Sequence, residues 1–215
     1  MKDGPGGGPV LHFRRAMSDV DYFEVFGLPR RLRIDAAELQ RRFYDLSRRH
    51  HPDFHQASPA EEQARALEAS ARLNAAYRAL RDPVARVDYL VRLEEGRDTK
   101  EGAAVKPKAP PELLEEMFEI QEALQAAQAG GLDADGREAL AAQRERLSSR
   151  LLEVESKLVG QLSEAWDAAT PGERGHLITA FKEALATRAY LRTVIDDLGA
   201  ALGESQDGHV ANRRY

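Results

Sequence analysis

Apolar side chains recur along this chain at the three- and four-residue spacing of amphipathic helices. In residues 35–51 they form one face, made of Leu39, Phe43 and Leu46. In residues 58–81 the predicted buried face consists of Leu67, Leu73, Tyr77 and Leu80. No stretch alternates with a period of two, which is the signature of a strand. The pattern therefore predicts an all-α fold.

Helix-capping signatures divide the first part of the chain. The three signatures are Asp35 with Glu38, Ser58 with Pro59 and Glu61, and Asp82 with Pro83. Each places an oxygen-bearing side chain where it can accept hydrogen bonds from the first amides of a helix. We therefore expect an antiparallel hairpin over residues 35–81, with a short aromatic turn of helix before it and a short helix after it. Together these elements make a first domain over residues 21–95.

A second helical region follows a linker at residues 96–111, which glycine and proline interrupt. Apolar residues at helical spacing predict three helices here, over residues 112–128, 134–167 and 170–202, that pack as an antiparallel bundle. Trp166 is predicted to be buried near a helix end. Residues 1–20 and 203–215 are predicted to be a flexible leader and tail. Met17 is a candidate start, and a mitochondrial presequence is the alternative interpretation of the leader.

Composition narrows the functional classes. The 215 residues include 31 basic and 36 acidic side chains and no cysteine, giving a net charge of −5. This charge gives no reason to expect nucleic-acid binding, and no apolar run reaches the roughly 18 residues of a membrane span. Without cysteine there are no disulfides or thiolate metal sites. We expect a bacterial cytoplasmic protein that is not an enzyme and needs no cofactor.

The candidate chemistry lies at the tip of the predicted hairpin, in the tripeptide His51-Pro52-Asp53. The preceding helix carries four arginines opposite its apolar face, namely Arg41, Arg42, Arg48 and Arg49. With His50 and His55, the tip also permits a metal site or an ordinary polar turn. We favour a docking loop, because an exposed carboxylate on a rigid turn beside a cationic stripe can orient an acidic partner.

With these features, residues 21–93 resemble a J domain. The matching segments are Asp21-Tyr22-Phe23, Leu39, the arginine-rich helix, His51-Pro52-Asp53, Asn74-Ala75-Ala76-Tyr77 and Leu80-Arg81-Asp82-Pro83. More narrowly, Tyr22-Phe23-Glu24-Val25-Phe26-Gly27-Leu28-Pro29 and Arg86-Val87-Asp88-Tyr89-Leu90 resemble the HscB family. One departure is Phe54, where many J domains carry lysine after the tripeptide.

The resemblance implies a co-chaperone of iron–sulfur cluster biogenesis, L-shaped and monomeric. The J domain of such proteins binds a 70-kDa heat-shock chaperone of the HscA or DnaK type and stimulates its ATPase. Their C-terminal bundle binds the scaffold protein, of the IscU type, on which the cluster is built. Two rivals remain open: a J-domain co-chaperone with another client, and a helical adaptor or nucleic-acid module.

The first helix of the second region has two apolar faces. Leu113, Met117, Ile120 and Leu124 form its predicted core stripe, and Leu114 and Phe118 lie about 100° further round. Acidic residues flank this second pair, which indicates either an interface or a wide core face with a solvated back. The resemblance assigns scaffold binding to Leu114, Phe118, Glu119, Glu122 and Tyr190. Glu115 departs from the methionine that family members often carry there.

Overall fold

The computed structural model describes residues 21–51, 53, 58–96, 118–125 and 131–203, and every regular element in them is helical. This confirms the predicted all-α class. The elements are α1 (Tyr22–Val25), α2 (Ala36–Arg49), α3 (Ala60–Arg81), α4 (Pro83–Glu94), α5 (residues 118–125), α6 (Ala134–Lys157), a π-helical segment (Leu158–Leu162), α7 (Ser163–Ala168), a 3-10 turn (Pro171–Glu173) and α8 (Arg174–Ala201). None of the described helices is long and apolar enough to cross a bilayer.

Two of the three predicted caps in the first part of the chain are confirmed. The Asp35 carboxylate accepts from the amide of Ala37 at 2.8 Å, and that of Asp82 accepts from Ala85 at 2.7 Å. The cap predicted at Ser58 is wrong, since α3 begins at Ala60 with Pro59 itself in the cap position and no side-chain cap bond. Ser58 therefore lies one residue too far from the first free amides.

The helices α2 and α3 pack as the predicted hairpin, with the Phe43 ring stacked on that of Tyr77 at 4.1 Å. The prediction that Leu67 faces the core is wrong, because its side chain is 63% exposed. Ala66 is buried in its place. It lies seven residues before Leu73, which is almost two full helical turns, so the two share a face, whereas Leu67 is rotated about 100° away.

One hydrophobic cluster joins the first four helices to the C-terminal part of the chain. It contains Phe23, Leu39, Leu73 and Leu90 from the first region and Leu158, Leu162, Trp166 and Phe181 from the second. Trp166 is fully buried, as predicted, and meets Phe181 edge-on at 6.1 Å. Because burial of a continuous apolar surface is what holds helices together, this cluster fixes the hairpin against the bundle.

Polar contacts reinforce the same junction. The Asp167 carboxylate accepts from the main-chain amide of Leu32 at 2.8 Å and from that of Arg33 at 2.9 Å. The buried guanidinium of Arg86 donates to the carbonyl of Leu80 at 2.7 Å and to that of Leu32. Burial lowers the pKa of Arg86. The loop at residue 32 is thus held from both sides, by α7 through Asp167 and by α4 through Arg86.

The predicted helix over residues 134–167 is present, but a π-helical segment interrupts it. Its buried stripe steps by four residues three times in succession, through Val154, Leu158, Leu162 and Trp166. Each such step drifts about 40° in a regular α-helix, and the wider π turn absorbs that drift. The Ser163 hydroxyl donates to the Leu158 carbonyl at 2.6 Å, satisfying an acceptor within the altered turn.

A second cluster lies between α5, α6 and α8. Its buried members are Ile120, Leu140, Leu147, Tyr190, Leu191, Val194 and Leu198. Thr170 and Glu173 form a capping box before α8, with the Glu173 carboxylate accepting from the Thr170 amide at 2.9 Å. That hydrogen bond lowers the pKa of Glu173. The bundle therefore has its own core, which merges with the first cluster through Val154.

Candidate functional site

The tip of the α2–α3 hairpin presents two polar side chains to solvent. The side chains of His51 and Asp53 are 53% and 70% exposed. The Asp53 amide donates to Nδ1 of His51 at 3.2 Å, and a carboxylate oxygen of Asp53 lies 3.5 Å from the same nitrogen. Pro52 lies outside the described residues. The tip is therefore braced by local contacts while its carboxylate remains accessible to a partner.

The α2 helix carries the cationic flank of this tip. Arg41, Arg48 and Arg49 are all exposed. They form no ion pair with any residue in the described part of the chain. Their placement agrees with the docking interpretation, because unpaired exposed guanidinium groups are the ones that can meet an acidic surface. The docking role itself stays a prediction.

Arg42 differs from the other three arginines. Its guanidinium donates to the carbonyls of Phe26 at 2.6 Å and Gly27 at 2.9 Å, and it pairs with Glu38 at 2.5 Å. Gly27 ends α1 with φ at 60°, and a Cβ there would lie 3.3 Å from Nη1 of Arg42. Arg42 therefore fastens the end of α1 to α2, and most of its hydrogen-bonding capacity is used within the fold.

The α5 helix presents the candidate surface of the second region. Phe118 is 67% exposed, Glu119 and Glu122 are exposed, and Ile120 is buried at 5%. The predicted division of this helix into a core stripe and an outer face is thus seen in its described residues. Leu114 lies outside them. An exposed phenylalanine bordered by carboxylates suits an apolar anchor within a charged rim.

Tyr190 is largely buried in the bundle. It is 7% exposed and belongs to the same hydrophobic cluster as Ile120, Leu191 and Val194. Its ring is therefore a part of the bundle core beneath α5, and only a small edge of it can reach a partner. Its role in scaffold binding stays a prediction, and its packing role is what the burial demonstrates.

Sequence reasoning missed one residue of the α2 face. Tyr44 is 58% exposed, and it lies three residues after Arg41 and four before Arg48. The signal was its position one residue beyond Phe43, which takes it off the apolar stripe. Among the described residues, no group of three or more histidines and carboxylates is placed to hold a metal ion.

Comparison with known families gives two successive matches along the chain. Residues 21–89 match the DnaJ domain, and residues 109–171 match the HSCB C-terminal oligomerisation domain. The first match contains the hairpin and its tip. The second contains α5, α6, the π-helical segment and α7.

Solved structures give the same association. The chain is similar to the chaperone HscB from Vibrio cholerae, with 26% identity and a TM-score of 0.51, over 83% of this chain and 99% of that one. It is also similar to human co-chaperone protein HscB, with 22% identity and a TM-score of 0.47, over 84% of both chains. Because the DnaJ match is followed along the chain by the HSCB C-terminal match, the chain belongs to the HscB family of J-domain co-chaperones.

Proposed function

We propose that this protein stimulates the ATPase of a 70-kDa heat-shock chaperone and delivers to it the scaffold protein on which an iron–sulfur cluster is built. The observation that carries the proposal is the exposed His51–Asp53 tip beside the exposed arginines of α2, on a chain whose α5 presents Phe118 within acidic residues. The cluster is cargo of the scaffold, in keeping with a chain that contains no cysteine.

Stimulation needs no chemistry from this chain. If the tip and the arginine face bind the hydrolysis-competent state of the chaperone better than its resting state, they shift the chaperone toward hydrolysis. Each tenfold acceleration requires about 1.4 kcal/mol of differential binding, so a several-hundredfold effect requires about 3–4 kcal/mol. A few charge-assisted hydrogen bonds, accepted by Asp53 and donated by the arginines, supply free energy of that order.

Delivery follows from the shared core. The cluster containing Trp166 and Leu90 joins the hairpin to the bundle, so a scaffold bound at α5 is carried together with the docking tip. Once the tip has bound the chaperone, the scaffold is held beside it by the same molecule. This raises the effective concentration of scaffold at the chaperone. We propose the boundaries 21–95 and 112–202 for the two units, with residues 96–111 between them, and a monomer as the working form.

The test is a steady-state ATPase assay of the cognate chaperone with this protein, with and without the scaffold. Wild-type protein should accelerate hydrolysis, and Asp53→Asn should remove the acceleration while leaving scaffold affinity unchanged in a calorimetric titration. The matched control is Asp135→Asn, which removes an exposed carboxylate at the start of α6 and should behave as wild type. Normal stimulation by Asp53→Asn would refute the docking role of the tip.

A further inference from the structure

We propose that Tyr44 is the central contact of the α2 face with the chaperone, and that it donates its hydroxyl hydrogen to a carboxylate on an acidic surface of that partner. This inference rests on the proposed function, since it names the recognition chemistry of the same surface. It assigns partner selectivity to an aromatic residue that lies between two arginines.

Tyr44 is exposed on the surface of α2. Its side chain is 58% exposed, whereas the neighbouring Phe43 is packed against the first hydrophobic cluster. Tyr44 is absent from that cluster, so the fold gains little apolar burial from its ring. A large aromatic side chain left in solvent on a regular helix is a common feature of protein contact surfaces.

The neighbours of Tyr44 give the face its chemistry. Arg41 and Arg48 lie three residues before it and four after it, so all three side chains share one side of α2. Tyrosine and arginine are enriched among the residues that contribute most to protein interfaces. The tyrosine would form the desolvated centre of the contact, and the two arginines its charged margin.

The carboxylate nearest to Tyr44 in sequence, that of Asp45, borders the same arginines. Asp45 lines a shallow cavity of about 380 Å³ together with Arg42, Arg49 and the end of α1, including Phe26. Asp45 lies four residues after Arg41 and three before Arg48, but the exposed arginines Arg41, Arg48 and Arg49 outnumber it, so this surface has a net positive charge. An acidic surface is therefore the complementary partner, and two arginines flanking a hydrogen-bond donor suit carboxylates.

The hydroxyl group of Tyr44 is held on one side by a neighbouring side chain. The side-chain nitrogen Nε2 of Gln40 donates to Oη of Tyr44 at 3.3 Å, and the ring centroids of Phe43 and Tyr44 lie 5.8 Å apart. Because Oη accepts from Gln40, its own hydrogen is available for an acceptor on a partner. A tyrosine restrained on one side loses little conformational freedom on binding, which favours affinity.

The test measures ATPase stimulation as a function of the concentration of this protein. Tyr44→Ala should raise the concentration for half-maximal stimulation about tenfold, with the maximal rate unchanged, because it weakens docking without touching the tip. Tyr44→Phe should raise it by a smaller factor, since only the hydroxyl bond is lost. Leu152→Ala on α6 removes a side chain that is 66% exposed, and as the matched control it should change nothing.

The salt dependence of ATPase stimulation distinguishes the contribution of Tyr44 from that of the neighbouring arginines. Raising the salt concentration should shrink the effect of Arg48→Ala, because screening already weakens that contact in the wild type. The effect of Tyr44→Ala should persist. Urea unfolding midpoints of all variants should match the wild type, and Tyr44→Gln repeats the test with a second side chain that a helix accommodates well.

The outcomes distinguish the two proposals. If wild-type protein fails to stimulate the chaperone, the proposed function is refuted, and this inference with it. If wild type stimulates, and Tyr44→Ala and Tyr44→Gln keep the wild-type half-maximal concentration, only the inference is overturned. If Tyr44→Phe matches wild type while Tyr44→Ala does not, the carboxylate bond is refuted.

Discussion

The Asp167 carboxylate lies 2.8 Å from the main-chain amide of Leu32, although 135 residues separate them in sequence. The same carboxylate accepts from the next amide, that of Arg33, at 2.9 Å. One side chain at the end of α7 thus satisfies two successive donors of the loop between α1 and α2. This contact ties the arginine-bearing hairpin to the bundle.

Removal of this carboxylate should weaken the whole molecule. Asp167→Ala leaves the partly buried amide of Leu32 without its acceptor, and we expect the free energy of unfolding to fall by about 2 kcal/mol. Glu164→Ala removes only an exposed ion pair with Arg33, and it should cost less than about 1 kcal/mol. Urea denaturation measures both values. Equal effects of the two variants would show that the Asp167 contact is no more than a surface pairing.

The arginines of α2 should separate into two classes. Arg42→Ala removes hydrogen bonds to two carbonyls at the end of α1 and should lower the free energy of unfolding by about 2 kcal/mol. Arg48→Ala should leave stability within about 0.5 kcal/mol of wild type and weaken chaperone docking several-fold. Denaturation and ATPase titration, run on both variants, give the comparison. The reverse pattern would contradict the structural role of Arg42.

Tyr89 gives a prediction with a defined pH dependence. Its hydroxyl accepts from the Tyr22 amide at 2.7 Å and donates to the Asp21 carboxylate at 3.4 Å. Tyr89→Phe keeps the stacking of this ring on that of Tyr22 but removes the hydroxyl hydrogen bonds. It should lower the free energy of unfolding by about 1 kcal/mol at neutral pH.

Burial raises the pKa of Tyr89, so the folded protein keeps the phenol neutral where the unfolded chain ionises it. The stabilisation is complete below the ordinary tyrosine pKa of about 10 and is lost as pH rises above it, by about 1.4 kcal/mol for each pH unit. The stability difference between wild type and Tyr89→Phe should therefore narrow above pH 10. Urea midpoints measured at neutral and at alkaline pH check this, and a constant difference would contradict it.

Phe118 and Tyr190 should respond differently to truncation. Phe118→Ala should weaken scaffold binding by about 2 kcal/mol with little change in stability, because the side chain is mostly exposed. Tyr190→Ala should lower the free energy of unfolding by about 3 kcal/mol, because it removes a buried ring from the second cluster. Calorimetric titration with the scaffold and urea denaturation give the two measurements. Leu152→Ala is the control and should bind the scaffold as wild type does. If Phe118→Ala also keeps the wild-type affinity for the scaffold, Phe118 is not part of the binding surface.

The sequence by itself determined the helical class, the bounds of most helices and the family. Those features depend on short-range signals: apolar spacing, capping side chains such as Asp35 and Asp82, and the tripeptide that follows the arginine-rich helix. Local chemistry is enough for them, because a cap or a stripe acts within one or two helical turns.

Only the tertiary structure decided which of the charged and aromatic side chains form contacts within the fold and which remain exposed. Spacing could not reveal that Arg42 is bonded to the end of α1 or that Tyr190 is buried. Nor could it reveal that Asp167 meets the amide of Leu32. A side chain is occupied or available according to what the distant parts of the chain bring against it, and those contacts have no signature in the local sequence.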